Sequence, residues 1–138
     1  MIFTGSVYDK ALLDLAAGTL TDATVIDALL LTSGYVFDRT DTVASAFVDE
    51  VADAGYARFD ASAVFTIAQV DDEVQYQVLT PEPSFGPFST ADWRYVVLFN
   101  HASDAVYLCL DSGQANALAA ASFTVDPGDE PYLRLVAP

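Results

Sequence analysis

Asp92 to Asp111 reads D-W-R-Y-V-V-L-F-N-H-A-S-D-A-V-Y-L-C-L-D. Two runs of aromatic and β-branched residues flank a short polar interruption, Asn100-His101-Ala102-Ser103-Asp104, which is the pattern of a β-hairpin. Alternation along the first run puts Trp93, Tyr95, Val97 and Phe99 on one face. Val96 and Leu98 take the other, with Arg94 near its start. In the second run Val106, Leu108 and Leu110 oppose Ala105, Tyr107 and Cys109. Both faces are mainly apolar, whereas a surface hairpin keeps one polar face. The hairpin therefore belongs in mid-sheet, with the core on one side and a second cover on the other. That cover is either a helix of the same chain or a second copy of the protein.

The 138 residues suffice for one domain with its own core, and 53% hydrophobic content excludes a disordered chain. No apolar run approaches the roughly 20 residues of a membrane-spanning helix. Met1-Ile2-Phe3-Thr4-Gly5 lacks the basic start and apolar segment of a signal peptide, so a protein that is not exported is expected. Five Lys plus Arg stand against 20 Asp plus Glu, a formal net charge of -15. A phosphate backbone or an anionic lipid surface would be repelled, which argues against nucleic-acid and membrane partners. The same charge keeps a surface soluble, and that ordinary reading needs no partner. The one cysteine, Cys109, falls within a predicted buried strand, where it acts as a small hydrophobe.

Outward from the hairpin, Tyr8, Ala11, Leu12, Leu15 and Ala16 recur with the spacing of an amphipathic helix. Ser6 or Thr4 is its expected cap and Gly18 its stop. Thr24 to Thr32, T-V-I-D-A-L-L-L-T, reads as a buried strand with Asp27 as its one awkward member. Ala44, Phe47, Val48 and Val51 suggest a second, short helix. Tyr56–Phe59 and Ala63–Ala68 read as short strands. In Glu73–Leu79, Val74, Tyr76 and Val78 should point inward and Glu73, Gln75 and Gln77 outward. Pro81 to Phe88, P-E-P-S-F-G-P-F, excludes regular structure. Ala115–Ala121 is ambiguous, and Ala121–Val125 and Tyr132–Val136 close the chain as strands. The fold class is mainly β with α decoration (α+β): an antiparallel sandwich or barrel of about eight strands with one or two N-terminal helices.

Chemical signatures are sparse. There is one histidine, His101, and any metal site built on it would need carboxylates; a hydrogen-bonded loop histidine is the simpler expectation. No G-x-S-x-G elbow, phosphate loop or dinucleotide fingerprint occurs. Asp71-Asp72-Glu73 and Asp126 to Glu130 gather oxygen ligands in turns, without the spacing of a calcium loop. No catalytic residue, metal ligand or cofactor is expected. The Pro-rich loop offers Phe85 and Phe88 either as contact residues on a stiff support or as a plug for the sandwich end. With Trp93 and Arg94 just after them, they form the candidate partner-binding set.

The order of features resembles a known group. K-A-L-L-D-L-A-A-G leads into T-V-I-D-A-L-L-L-T-S-G-Y; an acidic stretch runs to A-G-Y at Ala54 to Tyr56; F-S-T-A-D-W-R-Y-V-V-L-F-N, Y-L-C-L-D-S-G and A-S-F-T-V follow, with a closing Y-L-R-L. Over nearly the whole chain this is similar to small virion structural proteins of tailed bacteriophages, the head, minor capsid or tail proteins. It departs after A-G-Y, where Ala57-Arg58-Phe59 replaces the glycine-rich stretch typical of the group. The resemblance implies a non-enzymatic virion component assembled in the host cytoplasm. The leading expectation is a capsid-decoration protein, trimeric, that binds and reinforces the major capsid lattice. The alternative is a tail or baseplate subunit with the Phe85 and Phe88 loop at its tip.

Overall fold

Asp92–Asp111 forms the expected hairpin in the middle of an antiparallel sheet. The computed structural model describes residues 3–87, 92–117, 122–126, 128 and 130–136. Its elements are β1 (Thr4–Val7), α1 (Asp9–Ala17), β2 (Ile26–Leu31), a 3-10 turn (Ala44–Ala46), β3 (Phe59–Val70), β4 (Glu73–Thr80), β5 (Ser84–Phe85), β6 (Asp92–Asn100), β7 (Val106–Ala117), β8 (Phe123–Thr124) and β9 (Leu133–Val136). Seven strands make one sheet in the order β1-β7-β6-β2-β3-β4-β9, and β5 pairs with β8 in a second. Every pairing is antiparallel. The chain is thus mainly β with an N-terminal helix.

Register explains the two-faced hydrophobicity. Leu30, Val96 and Leu110 lie in one row and Ala28, Leu98 and Leu108 in the next, on the face of the larger core. Leu29, Val97 and Cys109 form the alternate row, on the face of a second core. All six residues of β2 are buried, and burying each leucine contributes about 2 kcal/mol. The cover of the second face comes from this chain, but not from a helix. It is Tyr8 together with the 35–47 loop, which lays Tyr35 and Ala44 on the sheet and packs Phe37 and Phe47 behind them. Tyr35 meets Tyr95 and Phe47 edge-on, and its hydroxyl bonds those of Tyr8 (2.8 Å) and, as donor, the Asp41 carboxylate (2.8 Å).

Several local expectations are corrected. Strict alternation fails twice in the hairpin. Register shifts between Trp93 and Tyr95 and between Leu98 and Phe99 turn Trp93 onto the larger core and Val106 onto the Cys109 side. Thr4 and Ser6 are not caps but part of β1, which pairs with β7, and Tyr8 precedes the helix without a side-chain cap. Gly18 ends α1 at φ 75 as expected. The helix buries Ala11 and Asp14, while Leu12 is 50% exposed. Asp14 is tolerated inside because it accepts the Tyr107 hydroxyl (2.7 Å) and pairs with Lys10 (2.9 Å). The second helix is reduced to the 3-10 turn. Its segment bridges β2 through Leu31 and Glu50 and the β7 side through Val43 and Ala105, and those extended pairings satisfy the backbone that a helix would have used. The two short strands around Ala57 and Ala63 become one, β3, which starts only at Phe59. In β4 a register shift at Gln77 puts Tyr76 and Leu79 inward and leaves Val78 45% exposed on the outer face, reversing its expected placement, while Gln75 stays on that outer face but is covered there, 8% exposed, between Glu73 and Gln77. Ser84 and Phe85 make strand pairs despite the neighbouring prolines. β7 runs on past Asp111 through Ser112 and Gly113 to Ala117, Gly113 taking φ 85 in the bulge opposite Arg94.

Candidate functional site

Of the four residues expected to bind partners, Phe88 lies outside the described residues. Phe85 is 3% exposed, its ring 5.5 Å from Phe123 and 6.5 Å from Tyr56. Trp93 is 0% exposed and stacks on Phe123 at 4.4 Å with the planes 5° apart. Both rings are spent on joining the β5–β8 ribbon to the main sheet, which is the plug reading, and neither is offered to a partner. Arg94 reaches the surface but is engaged. It forms a two-pronged ion pair with Asp111 (2.8 and 3.1 Å) over the Tyr95 ring. Those hydrogen bonds hold Asp111 below the usual carboxylate range. Cys109 is buried and its thiol is pushed up to about 12 by desolvation, as a structural cysteine requires.

Two places in the molecule have functional character. The first is the far end of the β3–β4–β9 arm. Val70, Glu73 and Val136 share one row across the three strands. On the outer face Val70, Val78 and Val136 are 41%, 45% and 66% exposed; on the inner face Ile67 and Val74 are 37% and 39% exposed, where the core runs out. Apolar groups thus emerge on both sides of one hairpin end. Polar groups run between them: Gln77 donates to Gln75 (3.0 Å), Gln75 to Glu73 (2.9 Å), and Arg134 pairs with Glu130 (2.8 Å). Val70, Asp71, Asp72, Glu73, Gln75, Arg134 and Val136 line an open groove of about 490 Å³.

The second is at the turn of the central hairpin. Asn100 builds that turn, its Oδ1 accepting from the amides of Ala102 (2.9 Å) and Ser103 (3.2 Å) while its amide donates to Tyr107 (3.0 Å). The turn holds His101 beside two carboxylates. Its Nδ1 is 2.7 Å from Asp27 Oδ2 and 3.2 Å from Asp60 Oδ1. The expected hydrogen-bonded loop histidine is present, and the awkward Asp27 of β2 is its partner. Asp27's hydrogen bond raises the His101 pKa, with the charges of both carboxylates adding to it. Burial raises that of Asp27, against the opposing pull of the imidazole. Sequence reading missed Asp60. The usable signal was a lone carboxylate, Asp27, in an apolar strand, which needs a partner somewhere.

No family model, no curated protein and no solved structure matches the chain.

Proposed function

We propose that the protein is a non-enzymatic structural subunit of a bacteriophage virion, a decoration protein that docks on the major capsid lattice. The observation that carries the reading is the β3–β4–β9 end, where aliphatic side chains stand exposed on both faces of one arm. Scattered exposed apolar residues are ordinary, but a cluster at one end of a sheet marks a contact surface. The acids around it, Asp71, Asp72, Glu73 and Glu130 against Arg134 alone, fit a basic patch on the shell. Modest contacts per copy are enough when copies repeat over a lattice. The resemblance of the sequence to small tailed-phage virion proteins supports the same class. With the second face of the hairpin closed by the 35–47 loop, self-association is no longer needed to complete the core, so a trimer would form through other surfaces. In the tail or baseplate alternative Phe85, which is buried, would not be the contact residue.

The test is an add-back experiment. Expanded capsids lacking the protein are mixed with purified protein and sedimented. Wild-type protein is expected to co-sediment at a fixed number of copies per shell. The Val70→Asp and Val136→Asp double variant is expected to stay in the supernatant with an unchanged circular dichroism spectrum. Equal retention of both proteins, or of neither, overturns the docking assignment. Labelling in intact virions separates head from tail.

A further inference from the structure

We propose that Asp27, Asp60 and His101 form a binding site for a divalent transition-metal ion of the Zn²⁺ class. The three residues come from β2, from the start of β3 and from the β6–β7 turn, and one ligand atom from each lies within 4.8 Å of the others. The chain bends to bring them together. Ile26 pairs with Ala63 but Ala28 with Phe59, so β3 carries a bulge opposite Asp27, and Asp60 sits in it. Bulges of this kind re-aim side chains beside functional sites.

The spacing suits an ion. Zinc-class bonds to nitrogen and carboxylate oxygen of about 2.0–2.2 Å place neighbouring ligand atoms roughly 3.0–3.5 Å apart. Nδ1 stands 3.2 Å from the Asp60 oxygen, inside that range, and 2.7 Å from the Asp27 oxygen, a hydrogen-bond distance that must open by a few tenths of an ångström to admit an ion. The Asp60 side chain is 65% exposed and is free to make the remaining adjustment. A proton on His101 satisfies only part of the cluster. Asp27 is 6% exposed, and its Oδ1 is buried with no hydrogen-bond partner among the described residues. An orphaned buried carboxylate oxygen is costly, and a cation taken by both Asp27 oxygens removes that cost.

Donor chemistry sets the class. One imidazole and two carboxylates favour Zn²⁺, Mn²⁺ or Co²⁺ over Ca²⁺ and Mg²⁺, which prefer oxygen alone. Two carboxylates neutralise the dication, and half-exposed His101 leaves open positions for water. Arg58 lies near enough to act electrostatically on Asp27 but is itself held by Glu50 (2.7–3.0 Å), so its charge weakens the site without occupying it. A bound ion would clamp β2, β3 and the hairpin turn to one another.

The test titrates the full chain with Zn²⁺ calorimetrically in excess Mg²⁺, which occupies the general acidic surface. It then records the visible spectrum with Co²⁺. Wild-type protein is expected to bind one ion, to show d–d bands of a nitrogen- and oxygen-ligated Co²⁺, and to melt on the order of 8 °C higher at about a hundredfold excess over Kd. Asp60→Asn alters an exposed side chain and is the primary variant; His101→Gln also removes the hydrogen bond to buried Asp27, so its circular dichroism spectrum is recorded beside it, and each is expected to weaken binding at least tenfold and to abolish the bands. Stoichiometric Zn²⁺ binding unchanged in both variants, or no binding by wild type at millimolar Zn²⁺, overturns the proposal.

Discussion

Replacing Phe85 by alanine separates a core plug from a contact residue. The ring is 3% exposed and lies between Tyr56 and Phe123, on a strand that among the described residues pairs with β8 alone. Phe→Ala truncation in a packed core costs about 3–5 kcal/mol. The two-stranded ribbon is a small element and closes partly over the space, which places this site at the low end, about 3 kcal/mol. The assay is urea unfolding followed by the emission of Trp93, the single tryptophan, which is fully buried and stacked on Phe123. With a slope of about 2 kcal/mol/M the midpoint should fall by about 1.5 M. A shift under about 0.3 M at unchanged slope would refute the assignment of Phe85 to the core.

Three further outcomes are expected. Cys109, buried with its thiol pushed up to about 12, should resist iodoacetamide in the native protein and react fully in denaturant, as read by mass spectrometry. Tyr107→Phe leaves Asp14 with Lys10 alone and Asn100 without its acceptor, and should lower stability by about 2 kcal/mol and the melting midpoint by roughly 8 °C. Asp111 has a lowered folded-state pKa because Arg94 bonds its charged form. Its contribution is therefore present above the unfolded pKa, near about 3.9, and lost as pH falls through the folded value. The stability gap between wild type and Arg94→Gln should be constant above about pH 5 and shrink as acid is added, in parallel urea titrations at stepped pH.

The central hairpin was legible because two adjacent runs with apolar residues at both parities have few places to go except mid-sheet. The antiparallel class followed from short strands without intervening helices. What the pattern could not carry was register. The shifts at Arg94, Tyr107 and Gln77 reassign Trp93, Val106 and Val78 between faces, and a bulge leaves no mark in an alternating string. The 43–51 segment had helical spacing, but Ala44 and Phe47 belong to one core and Val51 to the other, so no single stripe exists. The identity of the cover over the second face was likewise invisible. Tyr35 and Phe37 belong to a stretch without periodicity and Phe47 to the expected helix, and their common role shows only once the segment is seen folded across β2 and β6. At the hairpin turn, His101 and Asp27 each stood out alone. Their meeting depends on strand order, and the arrival of Asp60 on a bulge.

The docking proposal meets its most direct test in a reconstruction of the particle that carries this chain. The account predicts density for the protein on the outside of the head, with Val70, Val78 and Val136 turned toward the shell. Density with that arm pointing into solvent, or purified virions from which the protein is missing, would contradict it.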